Sequence, residues 1–172
     1  MTSDIRITWR LTGPGWADCT LEDHRAKVEL TASCISSAPE ELLTAVARLV
    51  AGEAETRAQF EAEPTAYRWI FHREGGDAWI RVLELRDGRD HDNKGVAIWS
   101  SPLGIHQLAR AVIRCFDAVA QTYGESAYRG KWGEHFPEPS SKPSDASGTH
   151  RRPRDAQSVR GWGGPSGARG AG

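Results

Sequence analysis

Residues 5–11, IRITWRL, alternate strictly between apolar and polar side chains. A period of two predicts a β-strand with one face on a hydrophobic core and the other in water. The tetrapeptide TGPG at 12–15 is typical of a turn, and the alternation continues over residues 16–23 and 26–35. These three half-polar strands predict an antiparallel meander with one solvated face.

An amphipathic helical run follows the meander. Ser37 and Glu40 stand at the spacing of a capping box, and apolar residues recur at helical spacing from Leu42 to Val50. Residues 53–63 are rich in Glu and Ala, which are good helix formers. Two alternatives stay open: Gly52 caps the end of the helix, or residues 53–63 extend the helical structure until Pro64 stops it.

A second unit repeats this order with more aromatic residues. Residues 66–74 and 78–87 are predicted strands joined by a GGD turn at 75–77, and residues 95–101 form a further strand. Ser101 and Pro102 then stand at the N-cap and first positions of a long helix, and Gly124 is placed to end it. Beyond it, three aromatic residues recur four apart, Tyr128, Trp132 and Phe136. This spacing favours one more turn that folds back on the core.

The two units together predict an α+β domain over residues 1–136. Its expected architecture is a six-stranded, mostly antiparallel sheet built from two βββα units, with both main helices packed on one face. From residue 137 onward Ser, Pro, Gly, Ala and Arg dominate. Such a segment buries too little surface to offset its ordering entropy, so residues 137–172 are predicted to be disordered.

Charge is distributed unevenly along the chain. Residues 1–136 carry 16 basic and 20 acidic side chains, whereas residues 137–172 carry six and three. The acidic body argues against a nucleic-acid partner, because phosphate recognition needs clustered Lys and Arg. No signal peptide is recognisable, and no apolar run reaches the roughly 18 residues of a membrane span. We therefore expect a cytoplasmic protein that does not bind a membrane.

Cysteine and acidic residues give no metal motif. Cys19, Cys34 and Cys115 match no zinc or redox spacing and are predicted to be buried thiols. In the loop RDGRDHDNKG at 86–95, Asp90 and Asp92 begin like a calcium loop, but Lys94 replaces an acceptor and the bidentate Glu is missing. A solvated turn is the favoured interpretation. No metal or cofactor is predicted.

His72 is the histidine best placed for chemistry. It ends an aromatic strand and shares a predicted face with Arg68, a pair that could serve acid–base catalysis. The sequence fixes no carboxylate or second histidine beside it. A structural histidine at the margin of the sheet is therefore favoured, and no catalytic residue is assigned.

The outward face of the first meander is the surface that the sequence leaves for binding. A tryptophan among charged residues is typical of protein-binding surfaces, where an aromatic anchor supplies affinity and charges steer the partner. The predicted partner-binding residues are Trp16, Asp18, Glu22 and Glu29 on this face, and Asp90 and Asp92 in the acidic loop.

Two other classes of function stay open. A small enzyme or ligand-binding domain would use an aromatic pocket where the two meanders meet, formed by Tyr67, Trp69, Trp79 and Arg81. An oligomerisation module would follow if the aromatic strands formed an exposed edge or face that self-associates. No serine nucleophile elbow, P-loop or dinucleotide motif points to a particular enzyme.

Four stretches resemble known proteins: GWADCTLE at 15–22, EPTAYRWIF at 63–71, SSPLGIHQLARAV at 100–112 and YGESAYRGKWGEHFP at 123–137. They are similar to small uncharacterised actinobacterial α+β proteins, which in turn resemble immunity proteins of polymorphic toxin systems. The resemblance implies a cytosolic, non-catalytic and commonly acidic binder that occludes a toxin, and it assigns no individual residue. The sequence therefore favours a protein-binding domain, an immunity- or antitoxin-like inhibitor that acts by steric and electrostatic block.

Overall fold

The computed structural model describes residues 4–133, and the following statements concern that part of the chain. Its strands are β1 (Arg6–Gly13), β2 (Trp16–Glu22), β3 (Lys27–Ser33), β4 (Glu55–Ala62), β5 (Thr65–Glu74), β6 (Asp77–Leu85) and β7 (Val96–Gly104). Its α-helices are α1 (Ala38–Val50) and α2 (Ile105–Trp132), and a short 3-10 turn covers Asp92–Lys94. The predicted disordered segment 137–172 and Phe136 lie outside the described residues.

Strands β1, β2 and β3 form the predicted antiparallel meander, here termed sheet A. The register places Ile7 opposite Leu21 and Trp9 opposite Cys19, so apolar side chains of neighbouring strands share one face. These side chains are buried, whereas Arg6 on the opposite face is exposed. The alternation in the sequence therefore predicts correctly which face of this sheet meets water.

Strands β4 to β7 form a separate antiparallel sheet, here termed sheet B. The prediction of one six-stranded sheet is therefore wrong, because the described residues form seven strands divided between two sheets. The additional strand is β4, for which no strand was expected: its residues were to follow a helix capped at Gly52 or to extend that helix. Its Thr56, Ala58 and Phe60 are buried. Burial of this alternating face outweighs helix propensities that amount to only a few tenths of a kcal/mol per residue.

Polar side chains accept hydrogen bonds from backbone N–H groups of β4 on the edge that faces away from β5. The Gln59 N–H donates to the Glu41 carboxylate at 2.9 Å, and the Glu61 N–H donates to the Ser36 hydroxyl at 3.2 Å. These amides are consequently unavailable to β3, which lies beside β4. This explains why the two sheets adjoin without forming one continuous ladder.

Helix α2 begins later than predicted. Strand β7 stays paired with β6 through Ser101, Pro102 and Gly104. The helix starts at Ile105, and the Gly104 N–H donates to the Gln107 side chain at 3.1 Å. The predicted N-cap at Ser101 is wrong because strand pairing continues past it, and Pro102 is tolerated because β7 is an edge strand.

Gly124 kinks α2 instead of ending it. Its φ of 69° and ψ of 166° are non-helical, and the helix resumes as far as Trp132. Tyr128 and Trp132 are fully buried in this last segment. The Trp132 ring lies edge-on to the Trp9 ring, with centroids 5.3 Å apart. The predicted return of the chain to the core is therefore confirmed for these two residues.

One hydrophobic core joins both sheets and both helices around Trp9. The Trp9 ring centroid lies 5.8 Å from that of Phe60 on β4 and 6.1 Å from that of Phe116 on α2. From Phe60 the aromatic contacts continue to Trp69 and Phe71 on β5. Among the described residues, neither helix is both long and apolar enough to cross a bilayer.

Candidate protein-binding site

The outer face of sheet A brings together four of the predicted binding residues. The central strand β2 supplies Trp16, Asp18 and Glu22 from alternate positions, which point to the same face. Strand β3 supplies Glu29, which the register places opposite Thr20. Trp16 is partly exposed at one end of this face, and Glu22 and Glu29 are exposed. These residues therefore form one continuous surface, as the sequence predicts.

Opposite charges alternate across this face. Arg10 on β1 donates to the Asp18 carboxylate at 3.1 Å, and Glu22 stands between Arg6 on β1 and Lys27 on β3. Such exposed cross-strand pairs stabilise a sheet by at most about 1 kcal/mol each. Since cations and anions balance, the face offers hydrogen bonds and an aromatic contact rather than a field of one sign.

Asp90 and Asp92 lie elsewhere, in a loop over one half of the outer face of sheet B. The guanidinium of Arg68 on β5 holds this loop. It donates to the main-chain oxygens of Gly88 at 2.8 Å and Asp90 at 2.9 Å, and to the Asp92 carboxylate at 2.8 Å. It also donates to the Gln59 side chain at 2.8 Å. The Arg68 side chain is only 15% exposed, so these bonds form a partly buried network.

Both carboxylates of the loop have cationic partners. Asp92 accepts from Arg68 and also from Arg57 at 2.6 Å, and hydrogen bonds, that of Arg68 foremost, hold the pKa of Asp92 below its ordinary value. Asp90 pairs with Lys94 at 2.9 Å. The visible role of the two carboxylates is to stabilise the loop. Their assignment to a partner surface stays a prediction.

The predicted aromatic pocket does not form. Trp69 on β5 is fully buried in the core, and Tyr67 shares its face. Trp79 and Arg81 on β6 lie opposite His72 and Ile70, on the outer face of sheet B. Because side chains of a strand alternate between its faces, one pocket cannot contain both sets. The prediction of this pocket is wrong.

His72 and Arg68 share the outer face of sheet B, as predicted, but they do not form a pair. The Arg68 guanidinium is turned to the loop and to Gln59 on β4, where its contacts described above are made. His72 lies opposite Trp79, which is 45% exposed. Within residues 4–133, no cluster of three or more His, Cys, Asp or Glu side chains could hold a metal ion.

The cysteines are free thiols. Cys19 and Cys115 are buried, as predicted, whereas Cys34 is only partly covered. Burial raises the pKa of the Cys115 thiol to about 12 and that of Cys19 well above its ordinary value. Because the thiolate is the reactive form, these two side chains behave as small apolar residues of the core.

A groove of about 600 Å³ lies between β1 and α2, and the sequence did not predict it. Residues 4–10 line one side, and one flank of α2, including Ala111, Arg114, Cys115 and Ala118, lines the other. The small residues on this flank were the sequence feature that could have indicated a groove. They could not be interpreted in that way without knowing that β1 is an edge strand and that α2 lies along it.

Comparison with known proteins identifies no family. No family model matches the chain, and no curated protein matches it in sequence. One solved structure is similar, a chain of the CdiA-CT/CdiI toxin and immunity complex from Enterobacter cloacae, with a TM-score of 0.46 and 8% sequence identity. The likeness covers 66% of this chain and 99% of that chain. At this TM-score and identity it assigns neither a function nor a residue.

Proposed function

We propose that this protein is a protein-binding domain whose partner docks on the outer face of sheet A. The observation that carries the proposal is the position of Trp16. It is partly exposed at one end of the polar, charge-balanced outer face of sheet A, here termed the platform. Aromatic anchors surrounded by polar groups dominate the binding energy of many protein interfaces. Asp18, Glu22 and Glu29 would supply the surrounding hydrogen-bond acceptors.

The size of the platform limits how the partner can bind. Seven residues of strand extend roughly 23 Å, and three strands about 4.8 Å apart give an area of roughly 350 Å². A stable interface buries about 800 Å² on each partner. The partner must therefore also contact surfaces beside the platform. Within residues 4–133, the nearest strand edge without a strand partner is that of β1.

The finer proposal is an immunity- or antitoxin-like inhibitor that occludes a toxin. It is supported by the resemblance of the four sequence stretches and by the excess of acidic side chains in residues 1–136. Because charges on the sheet A platform balance, the block there would be steric, with Trp16 as anchor. Charge would contribute through the rest of the body.

Affinity capture from a lysate of the source organism tests the binding face. Glu29→Arg on β3 and Glu84→Arg on β6 reverse the same charge at exposed strand positions, the first on the platform and the second away from it. We expect wild type and Glu84→Arg to recover one partner equally. Recovery with Glu29→Arg or Trp16→Ala should fall at least about tenfold. Equal recovery by all four proteins would refute this face as the binding site.

A growth assay separates the inhibitor proposal from binding in general. Expression of the captured partner alone should arrest growth of a heterologous host, and co-expression of the wild-type domain should restore it. Rescue should weaken in the variants that lose binding. A partner that is harmless by itself would remove the inhibitor proposal and leave the binding function in place.

A further inference from the structure

The free edge of β1 differs from the other strand edges in residues 4–133. Strands β3 and β4 lie side by side, and Glu41 and Ser36 bond amides on the β4 edge. Strand β7 carries Pro102, which has no N–H to offer. Side-chain bonds to edge amides and proline residues in edge strands both prevent a strand edge from pairing with another chain. The edge of β1 carries neither feature over residues 6–10; α2 packs beside it, and the groove lies between the two elements.

One hydrogen bond shows which β1 amides point outward. The Leu11 N–H donates to the Tyr123 hydroxyl of α2 at 3.2 Å. Main-chain groups of alternate residues point to the same side of a strand, so those of Ile7 and Trp9 also face α2. The amides of Thr8 and Arg10 face β2. Tyr123 thus closes one end of the edge, and the groove runs along the rest of it.

The groove follows the edge of the strand and not one of its faces. Every residue from 4 to 10 lines it, although their side chains alternate between core and solvent. Seven extended residues span roughly 23 Å, which is enough for a short strand. On the opposite side, the buried Ala111 and Cys115 form the floor of the groove next to α2, and the exposed Ala118 lies at its rim. Small side chains at these positions leave room for another backbone.

We propose that this groove receives an extended, acidic segment of the partner protein, which pairs with β1 as a fourth strand of sheet A. Addition of a strand to a free edge is a general mode of peptide recognition, in which main-chain bonds supply affinity and alternate side chains supply specificity. The inference rests on the proposed function and deepens it, because it states how the partner extends beyond the platform.

The groove indicates the chemistry of this segment. Side chains on the solvent side of the new strand would lie beside Arg6 and Arg10, which are exposed and four residues apart. Arg114 adds a third guanidinium from α2, 3.9 Å from the Asp4 carboxylate. Arg10 also pairs with Asp18, so the groove lining, with three arginines and Asp4, carries an excess of positive charge rather than three unpaired cations. Side chains on the other side would meet Ala111 and Ala118, so they must be small or β-branched. The expected pattern is two acidic residues four apart, with Val- or Thr-like residues between them.

Two other occupants fit less well. In a second copy of the chain, antiparallel pairing about Thr8 would set Arg6 opposite Arg10 twice, and like charges directly opposite destabilise a sheet. Residues 137–172 of the same chain carry six basic and only three acidic side chains. Neither offers the negative charge that the lining, with three arginines against Asp4, favours.

Hydrogen exchange measured by NMR tests strand pairing directly. The probe is the blocked peptide TEVTVET, and its control is TKVTVKT, which has the same length and strand propensity with opposite charge. At saturation, TEVTVET should slow exchange of the Ile7 and Trp9 amides at least about tenfold, because they become hydrogen-bonded. The amides of Thr8 and Arg10, which already face β2, should change little. Unchanged exchange at Ile7 and Trp9 would overturn the proposal.

Matched variants on α2 place the peptide in the groove. Ala118→Trp fills it, whereas Ala120→Trp puts the same bulk at an exposed position outside it. Arg114→Glu reverses a lining charge, and Arg110→Glu reverses an exposed one that does not line the groove. We expect the two groove variants to bind TEVTVET at least about tenfold more weakly, which is about 1.4 kcal/mol. The two controls should bind like wild type, and equal binding by Ala118→Trp and Ala120→Trp would also overturn the proposal.

Failure of this inference and failure of the proposed function give different results. If Glu29→Arg loses the captured partner and Ala118→Trp retains it, only the proposal of strand addition in the groove would be overturned. If TEVTVET slows exchange of the Ile7 and Trp9 amides but the protein captures no partner, strand addition in the groove would be supported and the platform would be refuted as a partner-binding surface. A concentration-dependent dimer that Ala118→Trp abolishes would assign the edge to a second copy and overturn the acidic segment.

Discussion

Arg68 is the residue on which the loop over sheet B depends, and Arg68→Met tests this dependence. Methionine keeps a long, flexible apolar side chain but removes the guanidinium. That group donates four hydrogen bonds of 2.8–2.9 Å, to Gln59, Gly88, Asp90 and Asp92. Since the Arg68 side chain is only 15% exposed, water does not replace all four bonds while the loop stays in place.

The expected loss is smaller than the sum of four bonds. A hydrogen bond to a charged group contributes about 1.5–3 kcal/mol, so simple addition would exceed what one substitution usually costs. After the change, the oxygens of Gly88 and Asp90 can bind water if the loop lifts, and Asp92 keeps Arg57 at 2.6 Å. We therefore expect the free energy of unfolding to fall by about 3 kcal/mol. For a chain of this length that lowers Tm by about 10 °C.

Urea denaturation at pH 7, followed by tryptophan fluorescence, measures this loss. Arg81→Met is the control, because Arg81 is exposed on the same outer face of sheet B. It should change the free energy of unfolding by less than about 0.5 kcal/mol. Hydrogen exchange of residues 88–95 should accelerate only in Arg68→Met. An Arg68→Met loss below about 1 kcal/mol, with loop exchange unchanged, would refute the reasoning.

Two further predictions concern pH and backbone conformation. The Arg68 hydrogen bond is the main cause of the lowered pKa of Asp92 in the folded protein. The ionised carboxylate therefore stabilises the fold at pH values above the unfolded-state pKa of about 4. This stabilisation is lost as the pH falls through the lower pKa of the folded state. The gap in unfolding free energy between wild type and Arg68→Met should therefore narrow as pH is lowered from about 5 to about 2, and a constant gap would contradict this. Gly15 has a φ of +72°, and an added Cβ would lie 2.7 Å from the Cys34 sulfur. Gly15→Ala should thus cost about 1–3 kcal/mol in thermal unfolding. Gly76→Ala, with nothing within 4 Å of the added Cβ, should cost far less, and equal losses would argue against strain at Gly15.

Local pattern predicts much of this fold and part of its binding surface. The alternation in residues 5–11 identifies β1 and its buried face, and the same rule places Trp16, Asp18 and Glu22 on one surface. The spacing of Tyr128 and Trp132 predicts their return to the core. These predictions succeed because each depends on which side of one element is apolar, and burial of apolar surface is the dominant favourable term in folding.

The same patterns mislead where a distant contact outweighs local preference. Residues 55–62 favour a helix by composition, yet they form β4 because Phe60 and its alternate neighbours fill the core beside Trp9. Ser101 and Pro102 look like the start of a helix but remain paired with β6. In both cases the strand partner, remote in sequence, provides hydrogen bonds and packing that no local rule anticipates.

The sequence by itself determined the α+β class, the meander of sheet A and its polar outer face, because a period of two assigns each side chain to core or solvent. Only the tertiary structure decided that the strands divide into two sheets, that Trp69 and Trp79 lie on opposite faces, and that β1 has no strand partner beside α2 within residues 4–133. Those features depend on which backbone amides find partners far along the chain, as the Gln59 amide does with Glu41. Hydrogen bonding between distant segments is a property of the packed molecule, and no local window contains it.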